Sequence, residues 1–192
     1  SLKGLACQPL IVVNSYGFSL NGCRSMRSLS GLPRLSSTFH TLSLRDMIEL
    51  ADLSGVEAVL DITTLYASDA RVTDLRPLLS LKKISSVELE GFTQLTDASP
   101  LGDLRNLESL SLTDCSNLRV LPDSWPSSLR ELALNGCNKL TSLGFLPHGL
   151  EKFTIYGCKE LVSLGFLPHG LENFATSFRN YRSRLDLSGF SK

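Results

Sequence analysis

Apolar residues recur along the chain in a fixed frame, L-x-x-L-x-L-x-x-C-x-x-L, and three consecutive segments match it at every anchor. In the x-L-x-L-x part, apolar residues alternate with their neighbours, which predicts a short strand with one buried face. The three sets of anchors are Leu107, Leu110, Leu112, Cys115 and Leu118, then Leu129, Leu132, Leu134, Cys137 and Leu140, and then Leu150, Phe153, Ile155, Cys158 and Leu161.

Units upstream follow the same frame with other residues in the cysteine position. They are Ile84, Val87, Leu89, Phe92 and Leu95, then Phe39, Leu42, Leu44, Met47 and Leu50, and a less complete first unit of Phe18, Leu20, Cys23 and Met26. Between them, aligning Ile62 with Leu44 and Leu89 gives steps of 18 and 27 residues, so we expect a distorted unit around Leu60, Ile62 and Leu65. Leu171 and Phe174 begin an eighth unit.

A ten-residue segment, SLGFLPHGLE, occurs at residues 142–151 and again, 21 positions later, at 163–172. Because one strand cannot bury its apolar face alone, units of this length stack at about 4.8 Å into a parallel sheet. The late units return through proline-rich segments, which disfavour helix and predict an extended path. Residues 46–53 and 74–81 have better helix-forming composition, and each predicts a short helical turn.

The frame resembles the leucine-rich repeat family from Phe18 to Phe174. The segments TDLRPLLSL from Thr73 and TDASPLGDL from Thr96 are similar to repeats of internalins and protist proteins. LPDSWPSSL and FLPHGL are similar to short repeats of plant resistance proteins and secreted bacterial effectors. The resemblance implies an α/β-type repeat solenoid, mostly β: a right-handed horseshoe with a parallel sheet on the concave face and an extended or short-helical convex side.

Three divisions of the chain follow. We expect residues 1–17 to be an N-terminal cap or the remnant of a preceding repeat, residues 18–176 to hold seven or eight repeats, and residues 177–192 to be a C-terminal cap or a truncated repeat.

Composition narrows the classes of function. The 192 residues include 39 leucines, enough for a core, and 19 basic residues balance 19 acidic ones. Nucleic-acid binding is therefore not expected, except weakly through Arg179, Arg182 and Arg184, which alternate with aromatic residues. The uncharged segment 8–22 contains too many polar residues to insert into a membrane.

The compartment is only weakly constrained by the sequence. Five cysteines, with no Cys-x-x-Cys pair, favour a reducing compartment. We expect an intracellular, cytoplasmic protein, although an organelle stays open because the chain begins without methionine.

Cysteines and histidines are the candidates for chemistry. Cys115, Cys137 and Cys158 share one position of successive repeats, and we interpret them as a buried structural ladder because buried cysteine behaves as a small apolar residue. His148 and His169 lie one repeat apart but lack a repeating third ligand, so we expect neither a metal nor another cofactor. No catalytic motif is evident, and we do not expect an enzyme.

The remaining candidate is the solvent side of the strands, because solenoids of this family engage partners through an extended concave sheet. We predict noncatalytic recognition of another protein there. The alternatives are a structural subunit of a large, ribonucleoprotein-type assembly, and the substrate-recognition part of a ubiquitin ligase or effector whose catalytic module lies elsewhere. The residues expected to bind the partner are Glu88, Glu90, Ser111, Thr113, Asp114, Glu131, Asn135, Lys152, Thr154 and Tyr156.

Overall fold

The computed structural model describes residues 12–13, 17–34, 39–59, 61–165 and 167–176. They form one nine-stranded sheet whose strands follow one another in chain order. The strands are β1 (Val12–Val13), β2 (Gly17–Ser19), β3 (Thr41–Leu44), β4 (Thr64–Ser68), β5 (Ser86–Glu90), β6 (Ser109–Thr113), β7 (Glu131–Asn135), β8 (Lys152–Tyr156) and β9 (Asn173–Thr176). Strands β2 to β9 pair in parallel, whereas β1 pairs antiparallel with β2.

Two inward-facing residues per strand build the core, as the alternation in the sequence predicts. The first inward row runs from Phe18 on β2 to Phe174 on β9, and the second from Leu20 to Ile155. Every described residue of these rows except Phe174 is at most 3 % exposed. At the end of the first row, the rings of Phe153 and Phe174 stack with centroids 5.5 Å apart. The predicted parallel repeat solenoid is confirmed.

The unit around β4 is regular, and the predicted distortion is wrong. Leu65 pairs with Leu42 and Val87, and Ala67 pairs with Leu44 and Leu89, so the second inward row advances by 23 and then 22 residues. Ile62 is buried before the strand begins. The prediction failed because alanine occupies a position that is leucine in the neighbouring units, and the alignment followed the larger side chain. Leu60 lies outside the described residues.

The return paths behind the sheet change along the chain. Among the described residues, 3₁₀ helices form at Val56–Ala58, Arg76–Ser80 and Ser99–Asp103. The helical turn predicted for residues 74–81 is confirmed, and the extended late return is too, because residues 119–128 and 141–149 contain no helix.

The helical turn predicted for residues 46–53 is wrong. The amides of Ala51 and Asp52 donate to Arg27 O of the preceding unit instead of closing a helix. The helix Ser99–Asp103 was not predicted. The sequence did indicate it, because the T-D-x-x-P-L pattern that precedes and enters the helix Arg76–Ser80 is repeated from Thr96. Asp97 accepts from the amide of Ser99 at 2.7 Å, just as Asp74 accepts from that of Arg76 at 2.9 Å.

Each strand from β2 to β8 is followed within three residues by a residue in the left-handed backbone region, which turns the chain out of the sheet. These residues are Gly22, Asp46, Asp69, Gly91, Asp114, Gly136 and Gly157. The side chain of Asp114 lies over the next glycine of the column, where a Cβ on Gly136 would overlap Oδ1 of Asp114. Asp69 lies over Gly91 in the same way, with Oδ1 2.9 Å from where a Cβ would be. The aspartates thus occupy space that glycine in the next unit leaves free.

Candidate functional site

The outward side chains of the strands form the concave face, and the register arranges them in rows across the sheet. The middle row lies between the two core rows and consists of Ser19, Ser43, Tyr66, Glu88, Ser111, Ala133, Thr154 and Ala175. The C-terminal row lies two residues further along each strand and consists of Ser68, Glu90, Thr113, Asn135 and Tyr156. All ten residues predicted to bind a partner lie in these rows or next to them.

A cluster of three residues covers the part of the concave face near β4. The guanidinium of Arg45 lies 5.1 Å from the ring centre of Tyr66 and 3.3 Å from a carboxylate oxygen of Glu88. One cation therefore contacts an aromatic ring and an anion on two successive strands. Glu88, one of the residues predicted to bind the partner, is paired with a cation of the protein itself by this contact.

Tyr66 was missed as a concave residue by the sequence analysis. Once Ala67 is recognised as an inward residue, alternation places Tyr66 outward. The signal was present in the period-two pattern, and the shifted alignment of this unit hid it.

A second ion pair joins β7 to β8. Lys152 Nζ contacts Glu131 Oε1, and the hydrogen bond from Lys152 to that carboxylate raises the pKa of Lys152 above its ordinary value. Both side chains are about half exposed, so the pair is worth little in stability. Glu88 and Glu131 are thus both paired, and of the four carboxylates among the predicted binding residues, Glu90 and Asp114 form no ion pair within the described residues.

Hydrogen-bond acceptors remain in the C-terminal row. Glu90 and Asp114 are exposed, and neither forms an ion pair within the described part of the chain. Asn135 lies between Thr113 and Tyr156 in this row. Its Oδ1 atom is buried and has no hydrogen-bond partner among the described residues. Tyr156 is 39 % exposed, which makes it one of the exposed large hydrophobic residues of the molecule.

The three cysteines of the predicted ladder lie behind the sheet, fully buried and unoxidised. The Cys137 thiol donates to Leu112 O at 3.6 Å and to Asn135 O at 3.8 Å, and Cys115 and Cys158 make equivalent contacts. The adjacent thiols of Cys115 and Cys158, together with burial, raise the pKa of Cys137 far above its ordinary value. A thiol held neutral in this way is neither a nucleophile nor a ready metal ligand.

Cys23 occupies the same position of the first unit. It is buried and disulfide-bonded. Because disulfides are typical of oxidising compartments, the expectation of a reducing compartment gains no support from this cysteine.

His148 and His169 are both exposed on the return path of the duplicated segment. Across the described residues, no group of three or more His, Cys, Asp and Glu side chains is placed to hold a metal ion. Arg179, Arg182 and Arg184 lie outside the described residues. No helix in the described part of the chain is long and apolar enough to cross a membrane.

The decisive observation for the fold is that the sequence frame and the strand register coincide, so that each L-x-L pair fills the two inward rows of one parallel strand. The chain folds as a leucine-rich-repeat solenoid. No protein-family model matches it. A curated protein from Trypanosoma equiperdum, described as a putative adenylate cyclase regulatory protein, is 32% identical over 128 residues. The match covers 64% of this chain and 20% of that protein, so the chain spans about a fifth of the relative's length.

Solved structures with similarity to this leucine-rich-repeat solenoid are themselves leucine-rich-repeat proteins. A Bacteroides ovatus leucine-rich repeat protein is 17% identical with a TM-score of 0.45, covering 81% of this chain and 46% of its own. The repeat domain of the type III effector XopL is 16% identical at 0.41, covering 81% and 68%. A Listeria monocytogenes internalin is 18% identical at 0.37, covering 88% and 65%. The fold assignment rests on this chain's own frame and register.

Proposed function

We propose that this chain is a noncatalytic protein-recognition module whose binding surface is the concave face. The observation that carries the proposal is the small size of the middle-row side chains from β6 to β9, which we call the floor of the concave face. Ser111, Ala133, Thr154 and Ala175 are all small, and each is only partly exposed. A partner's backbone can approach such a floor closely, and repeat solenoids offer their concave surfaces to partners in this way.

The position of the larger side chains supports the same surface. The cluster of Arg45, Tyr66 and Glu88 bounds the floor on one side, and the pair of Glu131 and Lys152 flanks it. These contacts hold the bounding side chains in place before a partner arrives, which lowers the entropy lost on binding.

A regulatory role is the form of recognition that the comparison favours. The Trypanosoma relative is described as a putative regulatory protein. For this chain, the similarity supports regulation of another protein by binding, and the identity of that protein is not part of the proposal.

The test is to block the floor without disturbing the core. Ala133→Arg places a long cation on the middle row, and His148→Arg adds the same side chain to the exposed return path. Each variant and the unmodified chain would be used to capture partners from extract of the source cell, and the captured proteins would be quantified by mass spectrometry. We expect Ala133→Arg to lose the captured set and His148→Arg to retain it. The reverse pattern, with both variants melting like the unmodified chain, would place recognition on the return path.

A further inference from the structure

The N-terminal end of the solenoid carries a very short hairpin. Among the described residues, β1 pairs antiparallel with β2 through Val12 and Val13, and a pairing of two residues contributes little stability by itself. Phe18, at this end of the first inward row, is nevertheless 0 % exposed, whereas Phe174 at the other end is partly exposed. The cover of the first unit therefore depends on a contact besides this pairing.

A disulfide in the first unit supplies such a contact. Cys23 follows β2, is 1 % exposed and is disulfide-bonded. Its partner is not in the ladder, because Cys115, Cys137 and Cys158 are free. Distance excludes them as well, since β2 and β6 are four strand spacings or about 19 Å apart, and a disulfide joins Cα atoms at most about 7 Å apart. Of the five cysteines in the sequence, Cys7 is the one that remains.

The register of the hairpin points to the same cysteine. Val12 pairs with Ser19, and each step back from Val12 is matched by a step forward from Ser19 in an antiparallel pair. Continued outward, this register sets Gln8 opposite Cys23. Cys7, which lies outside the described residues, is the neighbour of Gln8 in the sequence. The direction of the hairpin thus brings the two cysteines to the same place.

We infer that Cys7 and Cys23 form a disulfide that clasps the N-terminal segment over the end of the core, and that the chain matures in an oxidising compartment. The bond closes a loop that contains β1 and β2, and such a cross-link stabilises mainly by restricting the unfolded chain. The odd number of cysteines is then explained, because three of the five are buried in the ladder as free thiols, out of reach of oxidants.

A thiol reductant would open the clasp. A dithiol attacks the bond as a thiolate, forms a mixed disulfide and leaves as a cyclic disulfide, while Cys7 and Cys23 each gain one electron and one proton. After reduction, the short pairing of β1 with β2 holds the segment without a covalent link, so the edge of β2 opens more often. Reduction should therefore loosen the first unit and leave the ladder unchanged, because its thiols are already reduced.

Trypsin gives a direct test of the bond, because cleavage after Lys3 and Arg24 leaves both cysteines in one peptide, residues 4–24. The native protein is alkylated with iodoacetamide as the source cells are lysed, unfolded in the same reagent and digested without reduction. We expect this peptide to carry no alkyl group and to be lighter than the reduced peptide by two hydrogen atoms. Alkylation of Cys7 or Cys23, or a link between two copies of the chain, would overturn the inference.

Thermal melting separates a clasp from a bond without a structural role. Dithiothreitol should lower the melting temperature of the unmodified chain by about 5 to 10 °C and leave that of Cys7→Ser unchanged. Cys137→Ala, a matched change in the ladder, should keep the full response to the reductant. The clasp would be overturned by an unmodified chain that melts equally with and without dithiothreitol, or by a Cys7→Ser variant that still responds.

Hydrogen exchange shows where the reductant acts. Reduction should speed exchange in peptides from residues 17–26 and leave the rates of β6 to β8 as they were, because local opening affects the unit that has lost its cover. Equal acceleration along the described solenoid would mean that the bond supports the whole fold, and the assignment of a cap would be wrong.

Discussion

The first and second halves of the solenoid share one sheet and one register but differ on both sides of it. In the half from β2 to β5, 3₁₀ helices enter the return path and the cluster of Arg45, Tyr66 and Glu88 covers the concave face. From β6 to β9 the return path is extended and the middle row is small and open. The inward rows therefore determine the fold, and the two outer sides can vary without changing it.

The largest expected effect tests whether the return path matters to stability. Leu101, in a 3₁₀ helix, and Leu143, in an extended return, are both essentially buried. Replacing either with alanine should cost about 2 to 5 kcal/mol, because each change leaves a comparable cavity. Urea unfolding followed by circular dichroism measures both. A cost for Leu101→Ala far above that for Leu143→Ala would show that the helical path adds stability of its own.

The next effect concerns one buried position of the repeat, which holds Cys23, Met47 and Phe92 in early units and three cysteines in the late ones. Cys137→Ser should cost about 1 to 3 kcal/mol, because a hydroxyl replaces a thiol in a packed, largely apolar position. Cys137→Ala should cost less than a buried Leu→Ala change. Thiol-reactive probes should label the three cysteines only after unfolding, and rapid labelling of the native chain would contradict the ladder.

The same thiol gives the late half a dependence on pH. The pKa of Cys137 is raised in the folded state, so above about pH 8.5 the unfolded chain releases a proton that the folded chain keeps. Stability is therefore full below that pH and falls as the pH rises beyond it. Cys137→Ala should flatten this fall, as measured by urea midpoints between pH 7 and 10. A variant with the same slope as the unmodified chain would show that other groups cause it.

A smaller effect distinguishes two glycines of the late half. Gly136 and Gly157 both have positive φ, so alanine at either position should cost about 1 to 2 kcal/mol. Gly136→Ala should cost more, because only that Cβ would overlap the Asp114 carboxylate, whereas at Gly157 the nearest atoms are 3.5 Å away. Asp114→Gly in the Gly136→Ala background should recover the difference in thermal melting. Equal costs without recovery would mean that Asp114 moves aside freely.

The smallest effect belongs to the cluster of the early half. A double-mutant cycle of Arg45→Met and Glu88→Gln should give a coupling below about 1 kcal/mol, because both side chains are well exposed to solvent. Chemical denaturation at low and high salt measures it. A larger coupling that persists in salt would make the cluster a structural element rather than a boundary of the binding surface.

The parts predicted from sequence are those that repeat. The inward rows follow from the L-x-L alternation, and the parallel order follows from the repetition of the whole unit, because each copy returns to start its strand beside the previous one. The β4 unit was misaligned because Ala67 carries too little apolar signal, and Tyr66 was missed with it. The ion pairs of Glu88 and Glu131 depend on cross-strand distances of long side chains, which a frame of apolar anchors does not contain.

The column of aspartates and glycines after the strands limits how such a chain can be rearranged. Asp69 and Asp114 each extend over a glycine in the following unit, whereas Asp46 turns back to Arg24, at 3.1 Å, and is followed by Asp69. Units are therefore not freely interchangeable, because a unit with a forward-extending aspartate requires glycine at the same position of its successor. A tandem copy of the unit containing Asp114, with Asp114 still extended forward, would set that carboxylate against a second aspartate. A library of shuffled units should keep each forward-extending aspartate joined to the glycine that follows it.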